Sequence, residues 1–471
     1  MKPIRFGTEG WRAVLADDYT FDSVRAVARA AGRWFRNQGA EAPVAVGHDT
    51  RFMGARFAGA VADELAACGL EARVCAGPLP TPAVGFYVAQ HKLAGSIVLT
   101  ASHNPGHYNG VKVKGANASS IPEQEAKWIE QEANRLLRDP LEPAPATEHP
   151  RFDVKQAYLD RLVSMVDRDL IAGARLTVVA DMMHGAAGGY FDEALRRAGC
   201  AEVRAVRAEP DPLFEGRNPE PIGPNLEASS AMTADPAVAV GVATDGDGDR
   251  LGLMVAGEYV DIQRTIVLVL YHLIHHRGWR GRVVKAINVT SMVDRLCQAF
   301  GCTVTETSVG FKNIAPEMVA DPNVILGVEE SGGFGIKGHI PDRDGSLAAL
   351  MVCEAIAQEG RPVPEILDHI YGLVGGRLHF GRVDIRLDED NSARLREAMP
   401  MLAANSLAGQ SVADINRLDG AKLILRDGSW LLVRISGTEP LARVYAEGRS
   451  QQEMEGLLQS GRELVARAAR R

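Results

Sequence analysis

The chain is short of several things. Of its 471 residues only 6 are cysteine, and aromatic residues make up just 6%. The cysteines, at positions 68, 75, 200, 297, 302 and 353, form no CxxC pair and no dense cluster. Neither a disulfide framework nor a cysteine-ligated zinc site is implied, and buried free thiols in a reducing cytoplasm are expected. Long apolar runs are missing too. The longest, Ile266 to Ile274, has nine residues and includes Tyr271 and His272, against the ~20 that a membrane-crossing helix needs. The opening MKPIRFGTEGWR lacks the apolar segment of a secretory signal. No block of Lys or Arg occurs, and 52 Lys+Arg against 60 Asp+Glu leave a net charge of −8. That balance speaks against a nucleic-acid or membrane partner.

What is present is an ordinary globular balance, 46% apolar and 24% charged, with an excess of glycine: 48 residues, where ~7% of the chain is usual. Short apolar runs (Val44–Val46, Ser96–Leu99, Leu176–Ala180, Val238–Ala243, Val283–Ile287, Val324–Leu326) alternate with amphipathic stretches such as Ser23–Asn37 and Phe57–Cys68. This predicts an α/β fold with parallel or mixed sheets covered by helices. Three segments, VAVGHDTRFMG from Val44, VVADMMHGAAG from Val178 and VVKAINVTSMV from Val283, repeat a strand, turn, helix theme. A proline-rich linker, DPLEPAPATEHP, spans residues 139–150. In the last hundred residues Gly381-Arg-Val-Asp-Ile-Arg-Leu387 alternates with period two, and LILRDGSWLLVRIS reads as a hairpin turning at Asp427-Gly428. The expected architecture is three similar α/β domains with mixed sheets, residues 1–148, 149–254 and 255–373, plus a smaller α+β domain, residues 374–471, around a central cleft.

Four polar loops follow strands: Thr100-Ala-Ser-His-Asn-Pro, Thr244-Asp-Gly-Asp-Gly-Asp-Arg250, Glu329-Glu-Ser-Gly-Gly333 and Ser436-Gly-Thr-Glu-Pro440. In α/β sheets, ligands bind beyond the carboxyl ends of strands. Asp245, Asp247 and Asp249 crowd three carboxylates into five residues, a repulsion that a hard divalent cation relieves. Arg250 holds the glycine position of an EF-hand loop and Ala256 that of its bidentate glutamate, so the EF-hand reading is rejected. An acidic surface turn is the plain alternative. Ser102 is placed as a nucleophile or phosphate carrier, with His103 beside it and Lys112 ten residues on; good turn chemistry alone would also explain Ser-His-Asn-Pro. Arg434, Ser436, Gly437 and Thr438, with Arg443 beyond, suit a phosphate dianion, or else a helix cap. Glu329 and Ser331 suit sugar hydroxyls.

Together and in this order, TASHNP, DGDGDR, EESGG and RISGTEP resemble the α-D-phosphohexomutases, the phosphoglucomutase/phosphomannomutase superfamily, over essentially the whole chain from FGTEGWR onward. The resemblance implies that Ser102 carries a phosphoryl group and that Asp245, Asp247 and Asp249 bind Mg²⁺ with the phosphoserine. It implies that His103 and Lys112 lie around the phosphoserine, assisting proton transfer and stabilising charge, and that Arg12 helps hold that region. It implies too that Arg250 stands beside the aspartate loop, and that Glu329 and Ser331 contact the sugar. Arg434, Ser436, Gly437 and Thr438 would grip the non-reacting phosphate, with Arg443 as a second cation. Gly310 and Lys312 resemble a cleft segment, and His339 and Arg343, in GHIPDRDG, are looser matches for sugar or phosphate selection. The implied reaction interconverts hexose 1-phosphate and hexose 6-phosphate through a bound 1,6-bisphosphate, with glucose 1,6-bisphosphate as activator. Gly333 in place of a histidine leans towards glucose. Phosphomannomutase and phosphoglucosamine mutase stay open as alternatives, as do a Mg²⁺-dependent phosphatase and a non-catalytic sugar-phosphate binder. The expected partners are small hexose phosphates, and the expected state is monomer or homodimer.

Overall fold

The structure is a computed structural model that describes residues 2–435 and 441–470. Four sheets of seven, five, four and six strands follow one another along the chain. The first three share one plan. A central first strand is flanked by the second and third, all parallel, and the fourth turns back antiparallel beside the third. In the first unit these strands are Val44–His48, Ala72–Cys75, Gly95–Leu99 and Tyr108–Gly115; in the second, Thr177–Asp181, Glu202–Val206, Val240–Ala243 and Gly252–Val255. In the third they are Arg282–Ala286, Thr303–Thr307, Val324–Glu329 and Gly333–Ile336. The three segments with the repeated theme thus begin with the central strand of each unit. Those strands are apolar on both faces because helices cover both. Val44–His48 and Gly95–Leu99 are buried along their whole length.

This plan puts three of the polar loops in one topological slot, the turn between the third and fourth strands. Residues 100–107, 244–251 and 330–332 fill it in successive units. The fourth unit differs, as its composition foretells. Its six strands are all antiparallel, and the helices Glu389–Ala398 and Gln451–Arg470 pack on them. The strands Ala421–Leu425 and Trp430–Ile435 form the expected hairpin, with Gly428 at φ +90°, a left-handed position that glycine adopts without strain.

Two domain limits need correction. The first sheet does not stop at residue 148: Arg151–Phe152, beyond the linker, pairs parallel with Ala72–Cys75. The second does not stop at 254: Glu258–Val260 pairs with Gly252–Val255. Composition marks a proline-rich segment but not the edge strand that follows it. The linker itself is strapped down, with Ala144 and Thr147 donating backbone N–H bonds to Glu64 (3.0 Å) and Asp63 (3.0 Å) of the helix Gly54–Ala67.

One apolar core runs continuously through the first three units, from Ala45 to Leu378. The fourth has its own core, Leu395 to Ala468, joined to the third unit by a small cluster of Ile287, Trp430, Leu432 and Tyr445. Polar ties at that seam include Lys422 to Glu306 (2.8 Å) and the Ser291 N–H to Glu447 (3.0 Å). No described helix is long and apolar enough to cross a membrane.

Candidate active site

The three equivalent turns meet. Ser102, at the tip of the first, sits at φ +51°, a left-handed conformation costing a non-glycine residue about 1–2 kcal/mol. Its Oγ donates to Asp245 Oδ2 at 2.7 Å, and His103 Nδ1 lies 3.4 Å from that Oγ. Lys112 reaches across from the adjoining strand to Asp247 (2.7 Å), Asp249 (2.9 Å) and Glu9 (3.3 Å). Thr81 Oγ donates to Asp247 at 2.6 Å. Arg343, from the segment after the third sheet, bridges Asp249 (2.5 Å), Glu329 (2.5 Å) and Glu9. Ser331 Oγ donates to the same Glu329 oxygen at 2.5 Å. The Leu251 N–H donates to the Gly332 carbonyl (2.9 Å), tying the acidic turn to the sugar-loop candidate.

Glycine serves this convergence in two ways. Gly248, at φ +78°, takes a left-handed turn position that glycine adopts without strain. At Gly246 a Cβ would lie 2.5 Å from the Ser102 carbonyl oxygen, so the missing side chain lets two turns from different units touch. Gly246→Ala should therefore push Ser102 and Asp245 apart and lower turnover by about 100-fold, the cost of a displacement on the ångström scale. Steady-state kinetics on the folded variant checks this, and unchanged turnover would contradict it.

The electrostatics suit a bound cation. Glu9, Asp245, Asp247, Asp249 and Glu329 are all buried and outnumber the buried cations that touch them, Lys112, Arg250 and Arg343. Ligand oxygens of the three aspartates lie within 4.8 Å of one another, and Asp247 Oδ1 and Asp249 Oδ1 have no hydrogen-bond partner among the described residues. A hard divalent ion fits this donor set. Burial, with Asp249 and Asp247 close by, pushes the Asp245 carboxyl up to about 8. Burial works against the Glu9 carboxylate too, but Arg343 and Lys112 hold it down to about 2. Burial works against the Lys112 ammonium, yet Asp247, Asp249 and Glu9 keep it well above its usual range. Burial, followed by Arg250, Arg12 and Lys112, drives the His103 imidazole well down, so it is neutral.

Arg12 donates to Asn104 Oδ1 (2.6 Å) in the Ser102 turn, and Arg250 to Glu220 (3.2 Å), with Asp245 at 3.8 Å. Arg434 and Arg443 stand opposite each other on paired strands of the fourth unit. Arg434 pairs with Asp419 (2.8 Å), and Arg443 is 4.0 Å from Asp384. Two guanidiniums held in register favour an anion between them. Ser436, Gly437 and Thr438 lie outside the described residues. Lys312 reaches away to Glu123 (2.9 Å) at the start of a first-unit helix. His339 does not join the cluster. Its Nε2 contacts Asp344 (2.9 Å), which also accepts from Tyr158 (2.8 Å), and its ring stacks near Phe86 (6.4 Å). It is a tie between the first three units.

Sequence reasoning misses Glu9 and Thr81, and also Asp49 and Arg51, a buried ion pair (3.0 Å) whose arginine donates to the Ser102 carbonyl (2.7 Å). Glu9 stands inside the quoted GTEGWR segment, so that motif held a second signal beside Arg12. Thr81 gives none.

Comparison with known proteins agrees with this architecture. The family models for phosphoglucomutase/phosphomannomutase alpha/beta/alpha domains I, II and III match residues 3–138, 156–258 and 261–373, and the C-terminal domain matches 385–463. A solved structure from Thermus thermophilus, provisionally named a phosphomannomutase, is 36% identical, with a TM-score of 0.86 over 99% of each chain. A phosphoglucosamine mutase of Frankia alni is 32% identical over 94% of each chain. A phosphoglucomutase/phosphomannomutase of Thermococcus kodakarensis is 29% identical over 98% of each. With four domain matches in order and relatives of this identity along nearly the whole length, the chain belongs to the phosphoglucomutase/phosphomannomutase family, the α-D-phosphohexomutases, and is an intramolecular phosphotransferase.

Proposed function

We propose that the protein interconverts α-D-glucose 1-phosphate and glucose 6-phosphate, with Ser102 as the phosphoryl carrier. The observation that carries this reading is the Ser102 hydroxyl set against Asp245 at the meeting of three loops from three units. In the first half-reaction the sugar's 6-hydroxyl oxygen attacks the phosphorus on Ser102. The new O6–P bond forms as the P–Oγ bond breaks, and the hydroxyl proton passes to the neutral His103 imidazole. The 1,6-bisphosphate reorients, and Ser102 Oγ then takes the phosphoryl group from O1: the Oγ–P bond forms as the O1–P bond breaks, and the proton held by His103 passes to O1, leaving the 6-phosphate. Lys112, Arg12 and Arg250 neutralise charge on the phosphoryl oxygens, the main demand of such a transfer. Asp245, Asp247 and Asp249, with the phosphoserine, would hold Mg²⁺, which supplies further charge neutralisation when bound.

Glu329 supports sugar binding. Arg343 and Ser331 both occupy its Oε1, and among the described residues no donor meets Oε2, which is left for a ring hydroxyl. Arg434 and Arg443 would hold the non-reacting phosphate. Arg343 also bears on the choice of sugar, because a Cβ at Gly333 would lie 2.1 Å from its Cδ. The guanidinium stem fills the space a longer residue 333 would take, which supports the glucose reading over one that relies on a histidine at this position. A mannose reading is favoured by the name of the Thermus thermophilus structure. The deciding experiment compares kcat/KM for glucose, mannose, glucosamine and N-acetylglucosamine 1-phosphates, with Mg²⁺ and catalytic glucose 1,6-bisphosphate. Glucose 1-phosphate should be the best substrate by about 10-fold or more, and a preference for another sugar would overturn the assignment.

A further inference from the structure

We infer that Arg51 is a positioning residue for phosphoryl transfer: its guanidinium is the core on which the Ser102 turn is wound. The inference rests on the reading of Ser102 as phosphoryl carrier. All five of its guanidinium N–H donors are used. Nη2 donates to the carbonyls of Ser102 (2.7 Å) and Asn104 (2.7 Å), Nη1 to those of Pro105 (2.8 Å) and Tyr108 (2.9 Å), and Nε to Asp49 Oδ2 (3.0 Å). The side chain is 0% exposed. Asp49 closes a second path to the same residue. Its Oδ2 accepts from Thr100 Oγ (2.6 Å), and that Oγ accepts from the Ser102 N–H (2.8 Å).

Both backbone polar groups of Ser102 are therefore fixed by one buried ion pair, and the Oγ alone points to Asp245. A left-handed serine persists only where its surroundings over-determine it, and Arg51 with Asp49 supplies that constraint. The same hub docks the second unit. The guanidinium lies over the Phe214 ring (4.8 Å), and the neighbouring Thr50 Oγ donates to the His184 carbonyl (3.1 Å). Lysine cannot replace this arrangement, because its three donors diverge from a single nitrogen. None of the described residues proposed to bind sugar or the distal phosphate touches Arg51, so loosening it displaces the Ser102 oxygen and leaves substrate affinity alone.

The test compares R51K and T100V with S102A in the full chain, measuring thermal unfolding, kcat and KM for glucose 1-phosphate with Mg²⁺ and glucose 1,6-bisphosphate. Per folded molecule, R51K should lose about 100-fold in kcat, and T100V about 10-fold, while KM stays within about 3-fold. A folded R51K with native kcat beside an inactive S102A would overturn the role of Arg51 and leave the phosphoserine reading standing. A KM that rises in step with the loss of kcat would overturn it as well. Should R51K fail to fold, T100V decides: a kcat loss at constant KM upholds the inference, and native kcat refutes it. Turnover by S102A would sink the phosphoserine reading and this inference with it.

Discussion

Ser102→Ala should lower mutase turnover by about 10⁴-fold or more, the scale on which removing a covalent nucleophile acts. The substitution deletes the one atom that can hold the phosphoryl group between the two half-reactions. Of the described hydroxyls that hydrogen-bond to the aspartate triad, the other is Thr81, which is engaged with Asp247. The fold should survive. Alanine bears the left-handed backbone at 102 about as well as serine does, and the turn remains anchored through its carbonyls. The lost bond to Asp245 costs about 1–3 kcal/mol. Intact-mass analysis after incubation with glucose 1,6-bisphosphate should find the phosphoryl adduct on the native chain and none on the variant. Turnover within about 10-fold of native would end the phosphoserine account.

Chelation should be nearly as severe. Dialysis against EDTA is expected to cut turnover by about 1,000-fold, with recovery on adding Mg²⁺, since several kcal/mol of charge stabilisation depend on a bound cation. Lys112 and Arg343 already contact Asp247 and Asp249, but the unpartnered oxygens Asp247 Oδ1 and Asp249 Oδ1 show that these cations do not saturate the cluster. Acidity should compete with the metal. Asp245 is held up to about 8 by burial and its neighbouring aspartates, and a ligand must be deprotonated to bind. Apparent Mg²⁺ affinity should thus rise with pH through the neutral range and level off above about 8. Retention of more than about a tenth of the activity without metal would contradict the assignment of the triad.

The turns that make the cluster are legible because their chemistry is local. Asp245, Asp247 and Asp249 lie within five residues, and Ser102 and Glu329 follow apolar strands whose end points the alternation reveals. Arg51, Asp49, Glu9 and Thr81 are not legible in that way. Arg51 acts on carbonyls about fifty residues on, and Glu9 meets Arg343 from the far end of the three-unit core. Such partners are set by how the units dock, which no window of sequence contains. The pair His339 and Arg343 makes the same point. Both stand in GHIPDRDG, yet the chain turns between them, and one imidazole packs against Phe86 and Tyr158 while the guanidinium enters the acidic cluster. Strand order is likewise hidden. The repeated theme at Val44, Val178 and Val283 hints at three units, but the shared slot for the three turns emerges only from the pairing.

The edge strand Arg151–Phe152 has a consequence for synthesis. The Val74 and Ala76 N–H groups find their acceptors in Pro150 and Phe152, on the far side of the linker, and Phe152 stacks on Tyr87 at 4.0 Å. Until the ribosome has delivered those residues, the nascent first unit presents an open parallel edge, the kind of edge on which neighbouring chains add strands. The proline-rich segment is therefore no place to divide this polypeptide: it is the strap that brings the closing strand home.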